Sequence, residues 1–130
     1  MQRRKYCTKC NKNRLIKFFG VDKSCKDGLR SCCKKCNYKD KNNRRKLRRH
    51  YIYNILATSG GCVDCGESNV ATLQFDHIRG TKTINISNIA NFKSSIKAID
   101  EEIAKCDIVC ANCHAIRTAK SQNWYMHIEK

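Results

Sequence analysis

Eight cysteines fall into four C-x-x-C pairs, Cys7/Cys10, Cys33/Cys36, Cys62/Cys65 and Cys110/Cys113, in a chain of 130 residues. That spacing constrains the fold more than any hydropathy pattern. Each C-x-x-C turn presents two thiolates to one ion, and two turns complete the four-sulfur tetrahedron that structural zinc prefers. Taken in order, the pairs predict two zinc sites, one in each half of the chain, that staple segments too short to bury a large core. Three cysteines stand outside the pairs: Cys25, Cys106 and Cys32, whose neighbour Cys33 alone has a partner three residues on. Whether these three are free thiols stays open.

In a reducing compartment cysteine clusters hold metal more often than disulfides, and the odd total of eleven cysteines also favours metal. The start, "MQRRKYCTKC", lacks an apolar run of signal-peptide length, and "YIYNILA" is too short to span a bilayer. The expectation is a cytoplasmic protein with no membrane partner.

Charge is unevenly spread. Residues 1–50 carry 19 Lys or Arg against three Asp, whereas residues 51–130 carry eight of each sign. The net charge of +16 therefore sits in the first two fifths, where a polyanion is the natural partner because each neutralised phosphate releases counterions.

Three segments follow. Residues 1–40 form an N-terminal four-cysteine lobe of zinc-ribbon or treble-clef type, with Leu15, Ile16, Phe18 and Phe19 as a minimal core and "KDG" as a turn. Residues 41–59 read as a basic linker helix: Leu47, Tyr51 and Ile55 recur every four residues, Ile52 and Leu56 widen the stripe, and Gly60 and Gly61 close it. Arg44, Arg45, Lys46, Arg48 and Arg49 surround its first half with cations suited to a duplex backbone. His50, beside them, is read as contacting phosphate or idle.

Residues 60–130 form the second lobe. In "ATLQFDH", Ala71, Leu73 and Phe75 alternate with Thr72 and Gln74, the period of a half-buried strand ending at Asp76 and His77. Ile96, Ile99 and Ile103 predict a helix with Asp100, Glu101 and Glu102 outside. A last helix opens within "ANCHAIRTAK" and carries His114 on its first turns. One zinc gathers strand, loop and helix, and so brings Asp76, His77 and His114 within reach of each other. From spacing alone His114 is a zinc ligand in place of a cysteine, a spare histidine on a helix face, or a ligand for a second ion. Asp76 and His77 likewise read either as an active pair or as a turn cap and a packed strand end.

Together "CVDCG", "LQFDHI" and "EIAKCDIVCANCH", over about residues 62–118, resemble the HNH endonuclease family, in its small phage and bacterial form with a four-cysteine zinc. The N-terminal "CTKC" and "KDGLRSCCKKCN" are similar to the zinc-binding segment often fused ahead of such nucleases. The resemblance implies a small α+β, zinc-stabilised fold whose C-terminal lobe is a ββα-metal unit, and metal-dependent hydrolysis of DNA. It implies His77 as general base, Asp76 and His114 as ligands of one catalytic divalent cation, and two structural zinc ions on the eight paired cysteines. Such roles meet a physical need: phosphodiester hydrolysis takes a deprotonated water and a cation beside the developing charge. Arg117 and Lys120, on the helix of His114, are expected to clamp the scissile phosphate.

The chain departs from the family pattern at two points. The signature asparagine that orients the base is expected about five residues ahead of the third cysteine, where Lys105 stands; Asn88, Asn91 or a backbone carbonyl are candidate substitutes. A further metal-binding histidine found in some members falls at Thr118. Fewer nitrogen ligands favour magnesium or manganese. The expected partner is double-stranded DNA, bound by a monomer or a homodimer, in the cytoplasm or in a host's cytoplasm if the gene is a phage's. The alternative is a non-catalytic, zinc-dependent module that binds nucleic acid or regulates transcription.

Overall fold

The computed structural model describes residues 3–86 and 95–124. The chain divides into two compact units, 1–46 and 47–130, and the folding logic of each is the same.

In the first unit, β1 (Arg4–Cys7) pairs antiparallel with β2 (Lys12–Leu15) in the register Cys7↔Lys12 to Arg4↔Leu15. The turn between them is the first cysteine knuckle. It closes by the Asn11 N–H donating to the Cys7 carbonyl at 2.9 Å, with Asn11 at φ 53°, a left-handed conformation that asparagine tolerates. A short 3-10 turn leads into β3 (Phe19–Val21), which pairs antiparallel with β4 (Leu29–Cys33). Cys33 ends β4, and α1 (Lys34–Thr58) begins at once, so that Cys36 stands in its first turn.

The buried centre of this unit is Cys7, Phe19 and Cys33, with Cys10, Leu29, Cys32 and Cys36 packed around it. Of the four apolar residues expected to form the core, only Phe19 is buried; Phe18 is exposed, and Leu15 and Ile16 are half-buried. The thiols supply the interior that aliphatic side chains would in a larger lobe.

In the second unit the plan recurs. A knuckle at Cys62–Cys65 precedes β5 (Leu73–His77), which pairs antiparallel with β6 (Cys106–Cys110); α3 (Ala111–Ser121) follows directly, with Cys113 in its first turn. The Cys110 Sγ caps that helix by accepting the Cys113 N–H, at 3.4 Å. Cys62, Leu73, Val109 and Cys110 form one core cluster, against which Leu56 packs. Ile86 and Ile99 form another with Tyr51, Ile52, Phe75, Ile84, Ile103 and Cys106.

Helix α1 begins at Lys34, earlier than the basic stretch at 41, directly after Cys33 and with Cys36 in its first turn. Its packing stripe in the second unit is Tyr51, Ile52 and Leu56, while Leu47 lies exposed. The expected stop holds: Gly60 and Gly61 take φ of 84° and 98°. A Cβ on Gly61 would meet the Glu67 carbonyl oxygen at 2.7 Å, so only glycine fits there.

Helix α2 (Ile96–Ile103) is capped by Ser95, whose hydroxyl accepts the Ala98 N–H at 3.2 Å. It buries Ile99 as expected. Glu102, expected outside, is 1% exposed. It lies three residues beyond Ile99 and so on the same helix face, where hydrogen-bond donors wait for it. No helix among the described residues is long and apolar enough to cross a membrane.

Candidate active site and metal centres

The eight paired cysteines form two groups, Cys7/Cys10/Cys33/Cys36 and Cys62/Cys65/Cys110/Cys113, each with its four sulfurs within 4.8 Å of one another. A zinc tetrahedron with Zn–S bonds near 2.3 Å has edges of roughly 3.8 Å, and Cys65 Sγ lies 3.6 Å from Cys110 Sγ. Donor type and spacing both fit a structural zinc ion in each group. Neither group includes His114, Cys25, Cys32 or Cys106.

The backbone prepares these thiols for metal. Burial raises the Cys7 thiol, but backbone N–H groups of Cys33, Cys10 and Lys9 outweigh it and bring its pKa down to about 6. Cys62 is brought to about 6 in the same way, burial being outweighed by the N–H groups of Cys110, Cys65 and Asp64. Thiolate is the form that binds metal.

Strand alternation sends neighbouring residues of β5 to opposite faces. Gln74 and Asp76 face α3. His114 donates its Nδ1–H to Gln74 Oε1 at 2.7 Å, and its Nε2 stands opposite Asp76 Oδ1 at 3.6 Å. A lone pair and a carboxylate oxygen in that arrangement repel unless a proton or cation lies between them. Asp76 and His114 are two donors that could hold a divalent cation. Gln74, which the sequence shows only as alternating with the apolar residues of β5, orients His114 through Nδ1; its signal was the i, i+2 spacing from Asp76.

Arg117 does not point toward an open phosphate position. Its guanidinium grips Asp64 bidentately at 2.7 and 2.6 Å and donates through Nη1 to Asp76 at 3.0 Å and Asp107 at 3.2 Å. Asp64, Asp76 and Asp107 together raise its pKa. The expected phosphate clamp is therefore a strut that fixes one oxygen of Asp76 and leaves the other facing His114. Lys120, on the same helix, is exposed.

His77 faces the opposite way, toward α2, with its Nε2 2.8 Å from Glu102 Oε1. The Glu102 carboxylate also accepts the Thr83 N–H at 3.0 Å, the Lys105 ammonium at 2.9 Å and the Thr83 hydroxyl. Burial pushes this carboxyl up, but the hydrogen bonds from Thr83, Lys105 and the Ile84 backbone outweigh it and hold it well below the usual range. Glu102 carried no signal beyond its spacing from Ile99. Lys105, where the family asparagine is expected, supports Glu102; Asn88 and Asn91 fall outside the described residues.

His77 and His114 line one cavity of about 540 Å³ along β5, with Arg49, Lys82, Gln74 and Asn85 as its other polar walls. Asp76 is set back from it, its side chain 16% exposed against 36% for His114. Arg44, Arg45, Lys46, Arg48 and Arg49 all lie on α1. No family model, no curated protein and no solved structure matches the chain.

Proposed function

We propose that the chain is a metal-dependent DNA endonuclease whose chemistry resides in the second unit. One observation carries the reading: two imidazoles from separate elements, His77 of β5 and His114 of α3, open onto a single cavity that also bears Arg49 and Lys82. The cations attract a phosphodiester, and His77 takes the proton of the attacking water. Asp76 and His114 would hold a divalent ion, which would supply the positive charge that phosphoryl chemistry needs at the phosphate and the departing oxygen. Gln74 orients His114 through Nδ1, and Arg117 keeps Asp76 in place.

The first unit repeats the knuckle, hairpin and helix without that chemistry. The residue after its last cysteine is Asn37, where the second unit has His114. Its excess of Lys and Arg suits it to hold the polyanion while the second unit cuts.

One observation favours a non-catalytic, zinc-dependent nucleic-acid-binding module: among the described residues, no group of three or more ligands exists besides the two cysteine clusters. Purified protein incubated with supercoiled plasmid and Mg²⁺ or Mn²⁺ separates the readings. Nicking that EDTA stops and His77→Ala abolishes supports the nuclease. Binding without cleavage under every divalent ion supports the module.

A further inference from the structure

Glu102 is the one buried charged side chain among the described residues, and the hydrolysis proposed above does not use it. Burying a carboxylate costs several kcal/mol unless its oxygens are well paired. Here Oε1 accepts the Thr83 N–H, and Oε2 accepts the Thr83 hydroxyl and the Lys105 ammonium. Lys105 Nζ also donates to the Thr81 carbonyl at 3.0 Å, so the clamp on the carboxylate holds without help from β5. Oε1 also lies 2.8 Å from His77 Nε2.

An ionised carboxylate can only accept hydrogen bonds, so the proton between Glu102 and His77 belongs to the imidazole. We infer that Glu102 is the positioning residue of His77: it holds the ring as the Nε2–H tautomer, which leaves the Nδ1 lone pair to receive a proton. The part of the inference that concerns rate rests on the nuclease reading. As a water O–H bond breaks, its electrons stay with the oxygen that attacks phosphorus, and the proton forms a bond to Nδ1. The ring becomes an imidazolium, still donating Nε2–H to Glu102, whose negative charge offsets the new positive one. The role that Lys105 cannot fill from the family position is filled three residues earlier, from α2.

The test uses the full-length, zinc-loaded protein labelled with ¹⁵N. Long-range ¹H–¹⁵N imidazole spectra at pH 8, with the His77 signals identified by their loss in His77→Gln, read the tautomer directly. The expected result is protonation at Nε2. In Glu102→Gln the amide can meet the ring with either its oxygen or its NH₂ group, so the tautomers mix. The cleavage kcat with Mn²⁺ falls at least about tenfold, while KM moves less than about threefold; zinc content and backbone amide spectra report that the variant is folded.

A wild-type His77 protonated at Nδ1 overturns the inference, as does a folded Glu102→Gln with unchanged tautomer and kcat. If the variant does not fold, the wild-type tautomer decides alone. A wild-type protein that shows the Nε2–H tautomer but cuts nothing upholds the Glu102–His77 pairing and overturns the nuclease reading, so the two fail separately.

Discussion

Asp64 and Arg117 form a bidentate ion pair, 2.6 and 2.7 Å long, that ties the knuckle of the second four-thiol group to the helix carrying His114. Asp64 lies between Cys62 and Cys65, so this pair couples the geometry of the thiolate cluster to that of Asp76, the next carboxylate that Arg117 holds.

Asp64→Ala releases two of the guanidinium's donors and leaves its charge to Asp76 and Asp107. A cation that pairs more strongly with Asp76 competes with a metal ion there. Mn²⁺ affinity, followed by the paramagnetic resonance signal of the free ion, should weaken several-fold, while zinc content remains unchanged. The stability loss should be small, about 0.5–1 kcal/mol, since both side chains are partly exposed and such pairs contribute little.

Zinc content should follow the paired cysteines alone. Elemental analysis of the wild type should give two zinc ions per chain. Cys7→Ser or Cys62→Ser should each remove one, with the affected unit losing its fold, because binding energy at such sites is folding energy. Cys25→Ser, Cys32→Ser and Cys106→Ser should retain both. Loss of a zinc ion in any of these three would overturn the ligand assignment.

Stability should depend on pH through Glu102. Its folded pKa is depressed, so its contribution is fully present above the unfolded value near 4.5 and is lost as pH falls below that value toward the folded one. Glu102→Gln should be less stable than wild type at pH 7, by about 1–3 kcal/mol for a buried charged hydrogen-bond partner. The gap should narrow as pH is lowered below 4.5. Denaturant midpoints of both proteins across pH 3–7 measure it; thiolate protonation affects the two alike and drops out of the difference.

Salt dependence should locate the polyanion surface. Each cation that meets a phosphate contributes about −0.9 to the log-log slope of affinity against salt. If about six are engaged, the slope is near −5. Arg44→Gln, Arg45→Gln and Lys46→Gln combined should make it shallower by about three, leaving zinc content and the cavity at His77 unchanged. An unaltered slope would remove this stretch of α1 from the interface.

The two four-thiol groups, the strand through Leu73 and Phe75, the glycine stop after α1 and the helix through Ile99 were all legible in the chain. Each rests on spacing over a few residues, where backbone geometry leaves few choices: a C-x-x-C turn, a period of two, a period near 3.6. The location of His114 on the first turn of α3 follows from the same local rule, since Cys113 has to reach the cluster.

What spacing could not reveal are the partners brought from far along the chain. β6 pairs with β5 across the segment that includes α2, and five residues, "CDIVC", carry too short a pattern to announce a strand. Arg117 looked like a phosphate ligand because nothing near it in sequence says that Asp64, Asp76 and Asp107 converge on its guanidinium. Glu102 sits among acidic neighbours that do face water, and its own burial is settled by Thr83, Lys105 and His77. Local sequence determined which elements form and which thiols group, because those depend on dihedral and ligand spacing. Only tertiary packing decided which charged side chain turns inward and which ring nitrogen is held, because those depend on donors and acceptors that meet after the chain has closed.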